Sequence, residues 1–499
     1  MQKFFDKESL KDCMDTLNTR AGVDPKSYRL WYKLNEDTQI AVKTCVGLSD
    51  SATITDSIGQ GSVGAALVSS LNIGVAIEDT FKGEPSTKIG KVKLNSLVFQ
   101  DDISKLCDNL EQAREGCHKI DKTLESKLLS LNYDKSKCLI VGSTKFRKKT
   151  LKELDETPMT MGKGLIEHSQ CEKYLGDFIH ERGCKESITV TIRERMRKLR
   201  SKCNDIIQIA EAPIMGGLNK GNVAFRLFEA QIIPALIHNA ESWISITKKH
   251  IKDLQIFQDN FIKRVLRLPK SNPNAILQHD TGMWPMEWRI KYKKLCFVSK
   301  IMQKPTNNIC RQVLLNEFAF GYEGLATEVF RICDDLGLEF VVTNNILKST
   351  IKNAVASRII NETREKMLSC KKTADRVTDI PEISPYLNSM GLPFSRVWIR
   401  YRSRSIAGVK ANAKSSHVDL TCRFCASGTE ENQEHLEQCS GLEFERRGLD
   451  MKTRLGLVSF WRRTSLKIAA EPSCGHHVER LIGKSSFLSK SPCDLADLT

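Results

Sequence analysis

Two adjacent acids, Asp101 and Asp102, interrupt an otherwise apolar run, Leu97-Val98-Phe99-Gln100-Asp101-Asp102-Ile103-Ser104-Lys105-Leu106. Val98 and Phe99 suit a half-buried strand and Ile103 with Leu106 its return, so the pattern predicts a tight hairpin with both carboxylates at its tip. Hard oxygen donors gathered at one point are what magnesium requires. In two-metal phosphoryl transfer such carboxylates hold ions roughly 3.5–4 Å apart, one activating the attacking hydroxyl and the other stabilising the leaving oxygen. Asp also favours turns for purely local reasons, so the pair needs support from its neighbours.

A second constellation, Cys422-Arg423-Phe424-Cys425 followed by His435-Leu436-Glu437-Gln438-Cys439, has the spacing Cys-x2-Cys-x9-His-x3-Cys. The first pair spans a knuckle turn. His435 and Cys439, one helical turn apart, share a face, so the four ligands can close a tetrahedron around zinc. Four protein ligands leave no open coordination position, which makes the expected site structural. Cys474, His476 and His477 lack a fourth partner at useful spacing.

The elements that must position these groups can be read in order. Ser9-Leu10-Lys11-Asp12 reads as a capping box for a short helix stopped near Gly22, and Ile40, Val42 and Thr44 alternate like a strand. An extended segment from Ile54 to Ile58 ends in Gly59-Gln60-Gly61 before the small-residue helix Val63-Gly64-Ala65-Ala66-Leu67, a turn that lets backbone approach a ligand closely. Leu106, Leu110, Ala113, Cys117, Ile120, Leu124, Leu128 and Leu131 predict a long helix capped by Asn132. Lys135 then precedes the strand-like Cys138-Leu139-Ile140-Val141-Gly142, where its ammonium could protonate a leaving pyrophosphate or simply be solvated. Tyr174-Leu175-Gly176 marks a second tight hairpin.

From about residue 186 the sequence turns helical. Arg193, Arg195, Arg197, Lys198, Arg200 and Lys202 share their window with one acid, Glu194, a density suited to gripping phosphates or to a solvated face. Leu254, Phe257, Phe261, Val265 and Leu268 form a helical stripe ended by Pro269, and the segment from Pro269 to Pro285 reads as an internal loop. Residues 287–415 read as mainly helical. Near their end Arg396, Trp398, Arg400, Tyr401, Arg402 and Arg404 interleave basic and aromatic side chains as a single-strand-binding surface would.

The totals agree with a nucleic-acid partner. Within 499 residues, 76 Lys+Arg against 60 Asp+Glu leave +16, which favours a polyanion. No run of about 18 apolar residues suggests a membrane span, and the charged start is unlike a secretory signal, so a soluble, intracellular protein is expected. Seventeen cysteines, an odd number scattered along the chain, argue for reduced thiols with one metal cluster rather than a disulfide framework.

Taken in order, these features resemble the palm and thumb of reverse transcriptases, specifically those of non-LTR (LINE-like) retrotransposons. Phe99-Gln100-Asp101-Asp102 is similar to the family's aromatic-x-Asp-Asp box, Gly59-Gln60-Gly61 to its nucleotide-contacting segment, Leu131-Asn132-Tyr133-Asp134-Lys135-Ser136 to its Leu-Asn-x-x-Lys-Thr stretch, and Tyr174-Leu175-Gly176 to the hairpin holding the primer end. The zinc-type cluster beyond the thumb is usual in such elements. The resemblance implies an α+β fold: a partial palm, an antiparallel sheet with packed helices, over 1–185; a helical thumb-like region over 186–300; a helical connector over 301–415; a zinc knuckle over 416–445; and a tail over 446–499. It also implies RNA-directed DNA synthesis from deoxynucleoside triphosphates on an RNA template and a DNA primer or target. Asp101 and Asp102 would hold Mg2+, Lys135 would donate a proton, and Phe5, Gln60 and Gly61 would contact the nucleotide. Arg193, Arg197, Arg200, Arg400 and Arg402 would hold nucleic acid, and Cys422, Cys425, His435 and Cys439 would hold Zn2+. The family's first catalytic Asp opens Asp-x-x-x-x-Phe-Asp, of which Met1-Gln2-Lys3-Phe4-Phe5-Asp6 fits the last six places. An N-terminally truncated and impaired polymerase is therefore expected. The alternatives are a non-catalytic nucleic-acid-binding remnant and a zinc-stabilised helical interaction protein.

Overall fold

The computed structural model describes residues 9–36, 38–54, 64–84, 87–162, 164–212, 221–339, 347–377, 384–406, 408–410 and 419–470. They form a helix-rich mixed fold with small sheets. The chain divides into two compact units, residues 1–188 with 301–328, and residues 189–300 with 329–499.

In the first unit the Ser9 hydroxyl accepts the Asp12 N–H at 3.3 Å, starting the helix Leu10–Thr19 as the sequence predicts. That helix buries Leu10, Cys13, Met14 and Leu17 against Ala65 and Val68 of the helix Ala65–Thr80. Because Ala65–Thr80 is apolar on more than one side, it also turns Ile73 and Ile77 into a second core with Phe81, Ile120, Leu124 and Leu129. Ile120 and Leu124 come from the helix Leu110–Ser126, which starts one turn later than its periodicity suggests because Asn109 accepts the Gln112 N–H at 2.9 Å and fixes the boundary. It ends before Leu128, whose left-handed φ of 59° breaks the ladder. Asn132 caps the 3-10 turn Tyr133–Lys135 instead of the long helix.

Among the described residues the strands pair two by two rather than as one palm-like sheet. The ribbons are antiparallel except for Lys137–Cys138 beside Glu167–His168, which is parallel. The acid hairpin consists of Ser96–Phe99 and Asp102–Lys105. Its inner face sends Val98 and Ile103 onto the Ile73, Ile77 and Phe81 core, while Leu97 and Phe99 remain exposed on the other face.

The second unit is helical among its described residues apart from one antiparallel bridge, Thr421 with Glu430. Lys248–Val265 buries Leu254, Phe261 and Val265 of the predicted stripe, with Ile262 beside them and Phe257 half-buried, but it stops ahead of Pro269 because Arg267 takes a left-handed φ of 50° and Leu268 N–H returns to the Lys263 carbonyl at 2.8 Å. The expected loop from Pro269 to Pro285 contains a helix, Asn274–Thr281, with Pro273 at its N-cap and Gly282 at its left-handed end. The Pro and Gly residues that read as a loop are the punctuation of this short element, which is buried at Ile276, Leu277 and Asp280. The region expected as a tail likewise carries a helix, Arg454–Ala470, whose Phe460 and Trp461 are fully buried with Tyr401, Leu436 and Leu442. No helix among the described residues is long and apolar enough to cross a membrane.

Candidate functional site

The Cys and His residues 422, 425, 435 and 439 converge. A short antiparallel ribbon supplies the first two: Thr421 bridges Glu430, Cys422 N–H donates to the Thr429 carbonyl at 2.8 Å, and Glu431 N–H donates to the Leu420 carbonyl at 2.7 Å. Phe424 N–H points at Cys422 Sγ, 3.4 Å away. The helix Gln433–Gln438, capped by Asn432 accepting the His435 N–H at 2.8 Å, supplies His435 and then Cys439.

All four ligand atoms lie within 4.8 Å of one another. Cys422 Sγ and Cys439 Sγ are 3.7 Å apart, and Cys425 Sγ and His435 Nε2 are 3.4 Å apart. A tetrahedron with zinc–sulfur bonds of about 2.3 Å and a zinc–nitrogen bond of about 2.0 Å has edges of roughly 3.8 and 3.5 Å, so the donor set fits a metal such as zinc. The thiols are set apart electrostatically. Hydrogen bonds from Ser427 pull the Cys425 thiol down to about 6, whereas burial, reinforced by Cys425, pushes Cys439 up to about 12.

The surroundings brace this centre. Arg423 lies between the two knuckle cysteines and binds both oxygens of the fully buried Glu431, which also accepts the Lys410 N–H at 3.1 Å. Gly441 follows Cys439 so closely against the knuckle that an added Cβ would stand 1.7 Å from the Phe424 carbonyl oxygen. Trp461 donates to Glu437 at 3.2 Å and Lys467 to the Gly441 carbonyl at 3.2 Å, tying the last described helix to the cluster.

At the acid hairpin the reversal falls one residue earlier than expected. Phe99 pairs with Asp102, so Gln100 and Asp101 form the turn and Asp102 opens the return strand. Gln100 carries the left-handed φ of 54°, and its N–H is anchored on Ser70 Oγ at 3.1 Å. Asp102 is exposed beside Phe99 on the outer face, and Asp101 is half-buried. Among the described residues no third Asp, Glu, His or Cys joins them in a metal-sized group.

No protein-family model and no curated protein matches this chain.

Lys135 is exposed on its 3-10 turn. The hairpin Cys171–Tyr174 with Asp177–His180 turns at Leu175 and Gly176, whose φ values of 48° and 90° suit a two-residue loop of the primed type. Phe5, Gln60 and Gly61 lie outside the described residues. Arg193, Arg197 and Arg200 are exposed on the helix Cys184–Glu211, with Arg197 paired to Glu194 at 2.9 Å.

Arg400 and Arg402 require a correction. The structure turns them inward: Arg400 is 6% exposed and donates to the Arg267 carbonyl, while Arg402 binds the fully buried Asp280 at 2.9 Å, a carboxylate shared with the Tyr386 hydroxyl. Helix Leu392–Arg402 is a core element, and its arginines satisfy buried oxygens instead of facing a nucleic acid. Glu431 and Gly441 escaped sequence reasoning. An acid pair directly before the ligand helix is the only signal for the first, and the second shows itself only in the close approach of two backbones.

Proposed function

We propose that the chain is a reverse transcriptase of the non-LTR retrotransposon kind, an RNA-directed DNA polymerase whose acid hairpin is the metal-binding turn of the palm and whose Cys3His cluster holds a structural zinc. One observation carries the reading: Phe99-Gln100-Asp101-Asp102 falls on a hairpin whose inner face is packed on two helices and whose opposite face offers Asp102 beside an exposed aromatic ring.

Asp101 and Asp102 supply the hard oxygens that would hold magnesium, and a bound divalent ion supplies charge neutralisation for phosphoryl transfer. The chain's own residues do the remaining work. The Ser70 anchor on Gln100 fixes the turn, so that the two carboxylates keep their spacing. Lys135, exposed at the end of its capped turn, donates a proton to the leaving pyrophosphate. The tip at Tyr174, Leu175 and Gly176 steadies the primer end.

A second reading is a nucleic-acid-binding remnant without catalysis: among the described residues the metal-sized group of Cys, His, Asp or Glu is the Cys3His cluster, and it does not include Asp101 or Asp102. Deoxynucleotide incorporation on a primed RNA template in magnesium, measured beside equilibrium binding of the same primer–template, separates the two. Incorporation supports the polymerase; binding without incorporation supports the remnant; neither overturns both.

A further inference from the structure

The ribbon Thr87–Ile89 with Val92–Leu94 places Lys88 directly opposite Lys93, and Lys91 in its turn. All three are exposed, and among the described residues none has an acid within ion-pair distance. Like charges facing each other across a ribbon are destabilising. An arrangement that pairs two ammonium groups and adds a third at the turn is relieved by an anion.

Beside this turn stands the end of the helix Ile309–Ala319. Asn316 is in contact with it: its Oδ1 accepts the Lys91 N–H at 3.4 Å, and an added Cβ on Gly90 would meet the Asn316 Cβ at 3.0 Å. One turn further on, the helix closes in a Schellman motif, with Tyr322 N–H on the Glu317 carbonyl at 3.0 Å, Gly321 N–H on the Phe318 carbonyl at 3.4 Å, and Gly321 at φ 64°. In such a motif the residue at the Tyr322 position commonly covers an apolar side chain three places inside the helix end, but here that place is Glu317. The Tyr322 ring instead lies 5.8 Å from the Phe320 ring, and the two residues stay 49% and 50% exposed. Two half-exposed rings thus follow, about one helical turn along the chain, the residue that contacts this ribbon, whose three lysines have no acid in ion-pair distance among the described residues.

We propose that Lys88, Lys91 and Lys93 with Phe320 and Tyr322 form a binding site for single-stranded nucleic acid, the lysines taking successive phosphates and the rings stacking on the bases. Charge complementarity selects the polyanion, and the exposed ring faces select unpaired bases over a duplex. The inference rests on the nucleic-acid reading above and deepens it by naming the strand state and the residues; it does not depend on catalysis at Asp101.

The test is equilibrium binding of the full chain to oligonucleotides of about 12 nucleotides, RNA and DNA, each carrying one 2-aminopurine, across a salt series. Replacing the three lysines by Gln should flatten the log–log salt slope by about 2, at roughly 0.7 per phosphate contact. Phe320→Leu with Tyr322→Leu should leave the slope unchanged, weaken single-strand binding about tenfold or more, and abolish 2-aminopurine quenching, with no effect on a duplex of the same sequence. Equal loss on RNA and DNA assigns the site to the shared backbone and bases, and loss on one alone assigns it to that strand type. Unchanged binding in both variants, with the wild type binding normally, overturns this site and leaves the nucleic-acid reading intact. A wild type that binds no single strand overturns both. Unchanged thermal unfolding of the variants shows that any loss is one of contacts.

Discussion

Glu431 and Arg423 form a buried, two-pronged ion pair, Nε to Oε2 and Nη2 to Oε1 both at 2.9 Å, with the carboxylate fully withdrawn from solvent. The guanidinium also donates to the Gly408 carbonyl at 2.8 Å, so one pair joins the cysteine knuckle, the strap before it and the entry to the ligand helix. Removing one partner leaves the other charged and buried. Glu431→Ala is expected to destabilise the second unit by about 3–5 kcal/mol and to weaken zinc binding by roughly 10–100-fold, since residues behind the ligands orient them. Chelator competition and thermal unfolding measure both. An unchanged affinity would show that the pair stabilises the fold without supporting the metal.

The close approach of Gly441 to the Phe424 carbonyl gives a second expectation. Gly441→Ala puts a methyl carbon where the knuckle backbone already is, so it should cost about 1–3 kcal/mol and lower metal affinity. Gly428 is the control, because it has a left-handed φ of 70° but open space around it. Gly428→Ala should cost about 1–2 kcal/mol and spare the metal. Differential scanning of the two variants, with and without zinc, tests the contrast.

Removal of the metal is the third. Purified in reducing conditions the chain should carry about one equivalent of zinc, lost in Cys425→Ser. Because Leu436, Leu442, Phe460 and Trp461 share one core with Cys422 and Cys439, chelation should expose Trp461 to quenchers as well as release metal. Zinc content that is the same in Cys425→Ser as in the wild type would remove the site.

Burial raises the Asp259 carboxyl above its ordinary value, opposed by a 2.8 Å hydrogen bond from Gln255. The folded state therefore holds this proton more tightly than the unfolded chain, and the associated stability, full below about pH 4, declines as pH rises through the folded value. Asp259→Asn keeps the acceptor for Gln255 and removes the ionisation. It should be more stable than the wild type at pH 7, with the gain fading toward pH 4. Urea unfolding across that range checks the sign.

Local chemistry was legible in the sequence wherever it is written in short spacing. The Ser9 cap, the hairpin turning at Leu175-Gly176 and the four ligands 422, 425, 435 and 439 each depend on residues a few places apart. What was illegible depends on partners far along the chain. Arg402 reads as a surface cation until Asp280, more than a hundred residues earlier, is found to neutralise it. The helix Asn274–Thr281 hides behind its own Pro and Gly boundaries, and Arg454–Ala470 gains its packing only through Tyr401 and Leu436. At the acid hairpin the residue types were informative, but the turn falls one place earlier than they suggest, at Gln100-Asp101, where the Gln100 N–H is held by Ser70 of the helix Ala65–Thr80, thirty residues back.

The central claim is that Asp101 and Asp102 do metal-dependent chemistry, and its most direct test is the rate of nucleotide incorporation on a primed RNA template in magnesium by the wild type and by Asp101→Asn. Loss of one ligand worth about 4 kcal/mol of charge stabilisation should slow the reaction by roughly a thousandfold while primer–template affinity stays the same. Equal rates in the two proteins would contradict the account.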